Sequence, residues 1–175
     1  MQTSFTWVGG RPSVDFTATL GKRQQAPFER IPEPADLGRW FQEAGLAQVA
    51  PQVSRAVRGL AVELREALYR LFSGTALPAD VGVVNRWSSR RLPGPRLTAE
   101  RSLEGTSPTA TDLLGVLARD GIDLLTGPLG GRIRTCAADD CSLLFVDASR
   151  AGRRRWCSMN TCGARAKMAT YRSAD

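Results

Sequence analysis

The sequence predicts an α+β fold, mainly α: a helical N-terminal domain with a few short strands over residues 1–130, then a small four-cysteine module over 131–175, built of short strands plus a terminal helix. Three observations predict it. Apolar residues recur at i, i+3 and i+4 through Val53 to Phe72 and again through Leu113 to Leu125, the spacing that lines one face of a helix. All four cysteines lie between Cys136 and Cys162. Between the two patterns, Leu129-Gly130-Gly131 breaks the periodicity and is the best candidate linker. At 175 residues and 42% hydrophobic content, the chain is long enough for one domain core plus a small module.

Taken in order, Phe5, Trp7 and Val8 suggest a short strand, Asp15 to Leu20 is ambiguous, and the polar stretch Lys22 to Arg30 reads as a loop. A helix follows Pro34, with Asp36 as its cap, Leu37, Trp40, Phe41 and Ala44 on one face, and Gly45 as its stop. The strongest helix runs from about Val53 to Phe72 and is stopped by Gly74. Its apolar face comprises Val53, Val57, Leu60, Ala61, Leu64, Ala67, Leu68 and Leu71. Leu77 to Trp87 reads as another helix, and Pro93–Leu97 with Arg101–Gly105 as a hairpin around Ala99 and Glu100. Ser107-Pro108 offers a capping hydroxyl followed by a residue whose missing N–H costs nothing in a first turn. The helix it starts has an apolar face of Leu113, Leu114, Leu117, Ala118, Ile122 and Leu125 and closes at Gly127-Pro128.

The cysteines form two C-x-x-x-x-C pairs, Cys136/Cys141 and Cys157/Cys162, separated by fifteen residues. Two close pairs joined by a short excursion suit one tetrahedral zinc ion, each pair holding the metal from a tight turn. Leu143 to Val146 is the strand candidate of the excursion, and Asp147 to Gly152 its turn. Disulfides would use the same sulfurs, but they require an oxidising compartment, and the N-terminus has no export signal. An iron–sulfur or redox role is the lesser rival. A catalytic zinc is disfavoured because four protein ligands leave no open coordination position. Removing a structural zinc is expected to unfold the residues after about 132 and leave the helical domain standing.

Charge is uneven. The formal net charge is +7, and residues 132–175 hold nine Arg and Lys against four Asp, a net of +5, while the other 131 hold fifteen against thirteen, a net of +2. Four thiolates and a divalent ion add about −2, so the tail is nearer +3. Three successive arginines, Arg153, Arg154 and Arg155, precede Cys157 and exceed what the cluster charge requires. Their accumulation points to phosphate contact. Trp156 is assigned to the module's core rather than to base stacking. In a terminal helix, Arg165 and Arg172 share nearly one face and Lys167 points away from it, so no base-reading face is defined. The chain has no His, no Gly-rich phosphate loop and no Ser nucleophile motif, which argues against an enzyme. Asp15, Arg119, Asp120 and Asp123 are the only candidates for a catalytic pocket, and Asp120 and Asp123 read better as helix surface. No run of about 18 apolar residues occurs, so a cytoplasmic protein without a membrane partner is expected.

Trp156-Cys-Ser-Met159 with Cys162-Gly-Ala-Arg-Ala-Lys167 resembles the CGNR-type zinc finger of bacterial, often actinobacterial, transcription regulators. The resemblance extends through Ala118–Leu125, Arg132–Cys136 and Leu144–Arg150. Gly9–Phe16, Asp36–Trp40, Ala44–Leu46 and Leu64–Ala67 are similar to the ABATE domain that precedes this finger. It implies a stress-induced regulator whose finger binds DNA, with the four cysteines as metal ligands and Arg154, Arg155, Arg165 and Lys167 at its basic positions. Ala164 stands where the family motif has Asn, which removes any contact that depends on an amide.

The expected function is therefore a DNA-binding regulator using Arg153, Arg154, Arg155, Arg165, Lys167 and Arg172, with an N-terminal domain that senses a small-molecule effector or forms a homodimer. The alternative is a protein-interaction adaptor or small-molecule-binding protein whose zinc module is purely structural, and RNA is a variant of the first reading.

Overall fold

The computed structural model describes residues 4–92, 96–104 and 107–172. In chain order its elements are α1 (Pro12–Thr17), β1 (Leu20–Gly21), β2 (Phe28–Glu29), α2 (Pro34–Glu43), α3 (Arg55–Ser73), α4 (Asp80–Ser88), β3 (Arg96–Leu97), β4 (Leu103–Glu104), α5 (Ala110–Thr126), β5 (Ile133–Thr135), β6 (Leu144–Val146) and α6 (Ala164–Arg172). The strands form three separate antiparallel pairs, β1–β2, β3–β4 and β5–β6. The fold is thus mainly α with short strands, as the periodicity predicts.

The α3 helix starts where Ser54 accepts a hydrogen bond from Val57 N and stops at Gly74, whose φ of 77° closes the helix in the left-handed conformation. Ala61, Leu64, Ala67 and Leu68 are fully buried, but Leu60, expected on that face, is exposed. In α2, Asp36 caps from inside the first turn by accepting from Glu33 N at 3.1 Å. The α4 helix begins three residues after Leu77, where the Asp80 carboxylate accepts from Leu77 N at 2.7 Å and from Arg70 Nε at 2.9 Å. The start of α5 also lies later than Ser107-Pro108: Thr109 accepts from Asp112 N, and Asp112 accepts from Thr109 N, a reciprocal capping box.

Two further expectations are corrected. Residues 4–8 form no ladder; they are held by rings instead, Phe5 against Trp7 at 6.0 Å and Trp7 against the buried Trp40 at 5.7 Å between centroids. The stretch 22–30 is not all loop, because Phe28–Glu29 returns to pair with Leu20–Gly21. The β3–β4 hairpin forms around Ala99 and Glu100, with Pro93–Pro95 and Gly105 outside the described residues.

One core joins both ends of the chain. Phe16, Leu37, Trp40, Phe41, Leu64, Leu68, Leu114 and Leu117 pack in a single cluster that also includes Leu144 and Val146 of β6. Val146 N donates to Gly9 O at 2.9 Å, which continues the β5–β6 hairpin onto the segment before α1. The candidate linker is correspondingly tight: a Cβ on Gly130 would stand 2.5 Å from the Leu125 carbonyl oxygen.

A second tie runs through polar side chains. Arg65, almost fully buried, donates to both carboxylate oxygens of Glu29 at 2.7 and 2.9 Å and to Glu66 at 2.9 Å. Such a cation is tolerated in the interior because Glu29, Glu66 and the Thr19 hydroxyl all accept from it. Arg23 pairs with Glu66 and lies 3.8 Å over the Tyr69 ring, while its backbone N–H donates to the buried Ser142 Oγ at 3.0 Å. The loop after β1 is thereby held against the residue that follows Cys141.

Candidate metal centre

The β5 strand delivers Cys136 at its end, a tight turn brings in Cys141, and β6 returns the chain to a loop that leads to Cys157. Cys162 sits in the wide turn Met159–Gly163 that opens into α6. Backbone bonds fix both turns: Cys141 N to Ala138 O at 2.9 Å, and Gly163 N to Ser158 O at 3.0 Å. Ala137 N donates to Arg155 O at 2.9 Å and fastens one turn to the other.

The four sulfurs lie within 4.8 Å of one another. Cys141 and Cys157 are 3.8 Å apart and Cys157 and Cys162 3.6 Å, far beyond a disulfide bond. Four thiolates about 2.3 Å from a tetrahedral zinc would stand about 3.8 Å apart, so the donor set fits one zinc ion. Cys136, Cys141, Cys157 and Cys162 hold it, with all four positions filled by protein. Before metal enters, burial pushes the Cys136 thiol up. Hydrogen bonding between Cys141 and Cys157 holds the Cys141 thiol down to about 5 and pushes Cys157 up. Zinc replaces these shared protons with thiolate–metal bonds.

Asp147 organises the loop that leads to the second pair. Fully buried, it accepts from Ser149 N at 3.0 Å and Arg154 N at 2.9 Å, and the Ser149 side chain first, then these backbone donors, hold its carboxyl below the usual range. The sequence marks it only as the first residue of a turn, directly after the strand candidate Leu143–Val146, a position where Asp is a turn-forming residue.

The expected nucleic-acid residues separate into two groups. Arg154 is half-buried and donates through Nε to Trp156 O at 2.8 Å and through Nη2 to Cys157 O, with its guanidinium 4.5 Å over Phe145. Arg165 pairs with Asp140 and donates to Cys162 Sγ at 3.3 Å. Both therefore support the knuckle. Arg153, Arg155 and Lys167 are exposed and form no ion pair among the described residues. Arg155 lies 5.1 Å over the ring of Trp156, which packs on the cysteine cluster as expected of a core residue. The side chain of Arg172 lies outside the described residues.

The four catalytic-pocket candidates, Asp15, Arg119, Asp120 and Asp123, are each engaged by partners within the fold. Asp120 accepts from Ser13 N and Arg11, and Asp123 from Arg11. Arg119 donates to the Ser88 and Arg90 carbonyls, and Asp15 accepts from Gly9 N at 2.7 Å. They join α1 and α5 to their surroundings.

Fold and site together define a class: a helical domain whose own core carries a closed four-thiolate zinc finger. A family model described as "ABATE: Putative stress-induced transcription regulator" matches residues 10–128, and one described as "CGNR zinc finger" matches residues 132–174. The chain belongs to the ABATE family and ends in a CGNR zinc finger. No curated protein matches it. Among the described residues, no helix is long and apolar enough to cross a membrane.

Proposed function

We infer that this protein is a DNA-binding transcription regulator whose zinc finger docks on the phosphate backbone. The observation that supports this most is the set Arg153, Arg155 and Lys167: exposed cations without carboxylate partners among the described residues, on backbone fastened beside Cys157 and Cys162. Arg154 and Arg165 contribute by holding that backbone in place. With Ala164 in place of Asn, the finger contacts phosphates rather than reading bases through an amide. The protein is non-catalytic in this reading, since a four-thiolate zinc has no open position for water.

Fluorescence anisotropy on duplex DNA at low salt tests it. Binding should weaken steeply with salt, and replacing Arg153, Arg155 and Lys167 by Ala should reduce the slope of log K against log salt by about 2 to 3, because each phosphate contact adds about 0.9. Zinc content should stay unchanged. An unchanged slope, or no binding at low salt, would overturn the reading; equal binding to duplex RNA would shift it to a general nucleic-acid protein.

A further inference from the structure

A cleft of about 900 Å³ lies between the β1–β2 hairpin and α6, beside the zinc site. Its size is that of a small-molecule site. The knuckle supplies its floor, Leu143 together with the zinc ligands Cys141, Cys157 and Cys162, and Asp140, neutralised by its pair with Arg165, also lines it. Ala164 and Met168 line it from α6, and Lys22 and Arg30 from the hairpin side.

Among the described residues, the two hairpin cations differ from the eight arginines, of the chain's 22, that pair with a carboxylate. Arg11, Arg23, Arg39, Arg58, Arg65, Arg70, Arg86 and Arg165 each stand within 4 Å of a carboxylate. Arg30 is half-buried, donates one nitrogen to the Ala18 carbonyl at 2.9 Å, and has no carboxylate partner among the described residues. Lys22 likewise forms no ion pair there. Burial pushes the Arg30 pKa down, and the charges of Cys141 and, beyond ion-pair distance, Glu29 only partly restore it. The thiolate cluster has nearer donors: Arg165 to Cys162 Sγ at 3.3 Å, and Cys157 N to Cys136 Sγ at 3.4 Å. A desolvated cation facing an apolar cleft selects an anionic group on an apolar body.

We propose that this cleft binds a small apolar carboxylate, its carboxylate held by Arg30 and Lys22 and its hydrocarbon body lying on Leu143, Ala164 and Met168. The small Ala164 keeps the cleft wide where the family motif has Asn. A ligand seated there bridges the hairpin to the helix that carries Lys167, so it would alter DNA binding; that coupling rests on the function proposed above, whereas binding of the carboxylate does not.

Calorimetry on the zinc-loaded full chain, without DNA, tests the site with 2-naphthoate and its uncharged analogue 2-naphthamide. Naphthoate should bind at one per chain and naphthamide about tenfold more weakly or less, the loss expected for one charge-assisted hydrogen bond. Arg30→Gln should weaken naphthoate about tenfold with zinc content unchanged, and Arg30→Lys should restore much of it. Ala164→Phe, on the opposite wall, should block binding and keeps the test decisive if Arg30→Gln fails to fold. Equal binding of the two probes, no naphthoate binding at about 1 mM, or an Arg30→Gln variant that loses zinc but keeps naphthoate would overturn the proposal.

Discussion

Arg154 donates its backbone N–H to the buried Asp147 and its guanidinium to two knuckle carbonyls, so its charge serves the fold. Its neighbour Arg153 is exposed and forms no such bond. Asp147→Ala would leave Arg154 N and Ser149 N without their acceptor, and buried donors left unpaired are destabilising. We expect Asp147→Ala to lower the melting temperature and speed zinc loss to a chromophoric chelator, and Arg153→Ala to change neither. Asp15 acts in the opposite sense. Burial pushes its carboxyl up to about 6 from 3.8, against the hydrogen bond from Gly9 N. The native state therefore holds this proton more tightly than the unfolded chain, and the contribution to stability present below 3.8 is lost as pH rises to about 6. Asp15→Asn removes that dependence. Between pH 4 and pH 7 its stability relative to the parent should improve by about 1–3 kcal/mol in denaturant titrations, and an unchanged difference would contradict the assignment.

At the scale of elements, α3 contains one glycine and is closed by another, and the two have opposite roles. Gly59 lies in the helix interior with open space where a Cβ would stand, whereas Gly74 closes the helix at φ 77° with equally open surroundings. Only backbone conformation distinguishes them. Gly59→Ala should stabilise the protein by about 1 kcal/mol and Gly74→Ala destabilise it by about 1 kcal/mol, both measurable by thermal unfolding. The long helices were legible because a 3.6-residue period repeats many times along α3 and α5. The cap of α5 was not, because Thr109 and Ser107 carry equivalent hydroxyls. Nor was β2: two residues cannot show an alternation, and Phe28–Glu29 is a strand only because Leu20–Gly21 is there to pair with it.

For the molecule as a whole, the decisive feature is that β6 belongs to two cores at once. Leu144 and Val146 pack with the helices, and Phe145 with the cysteines. Zinc removal should therefore loosen residues 136–143 and 147–172 while β5–β6 keeps its protection, and should lower the melting temperature of the helical part as well; hydrogen exchange with and without chelator checks this, and a knuckle that stays protected without metal would contradict it. The sequence alone determined the mainly helical fold, the four zinc ligands and the basic tail, because helix periodicity and ligand spacing are written within short stretches of chain. Only the tertiary structure decided which cations remain free, that the linker is packed, and that a cleft opens beside the metal. Those outcomes depend on partners remote in sequence, such as Arg23 with Ser142, 119 residues apart, and no local pattern records which distant acceptor a side chain will meet.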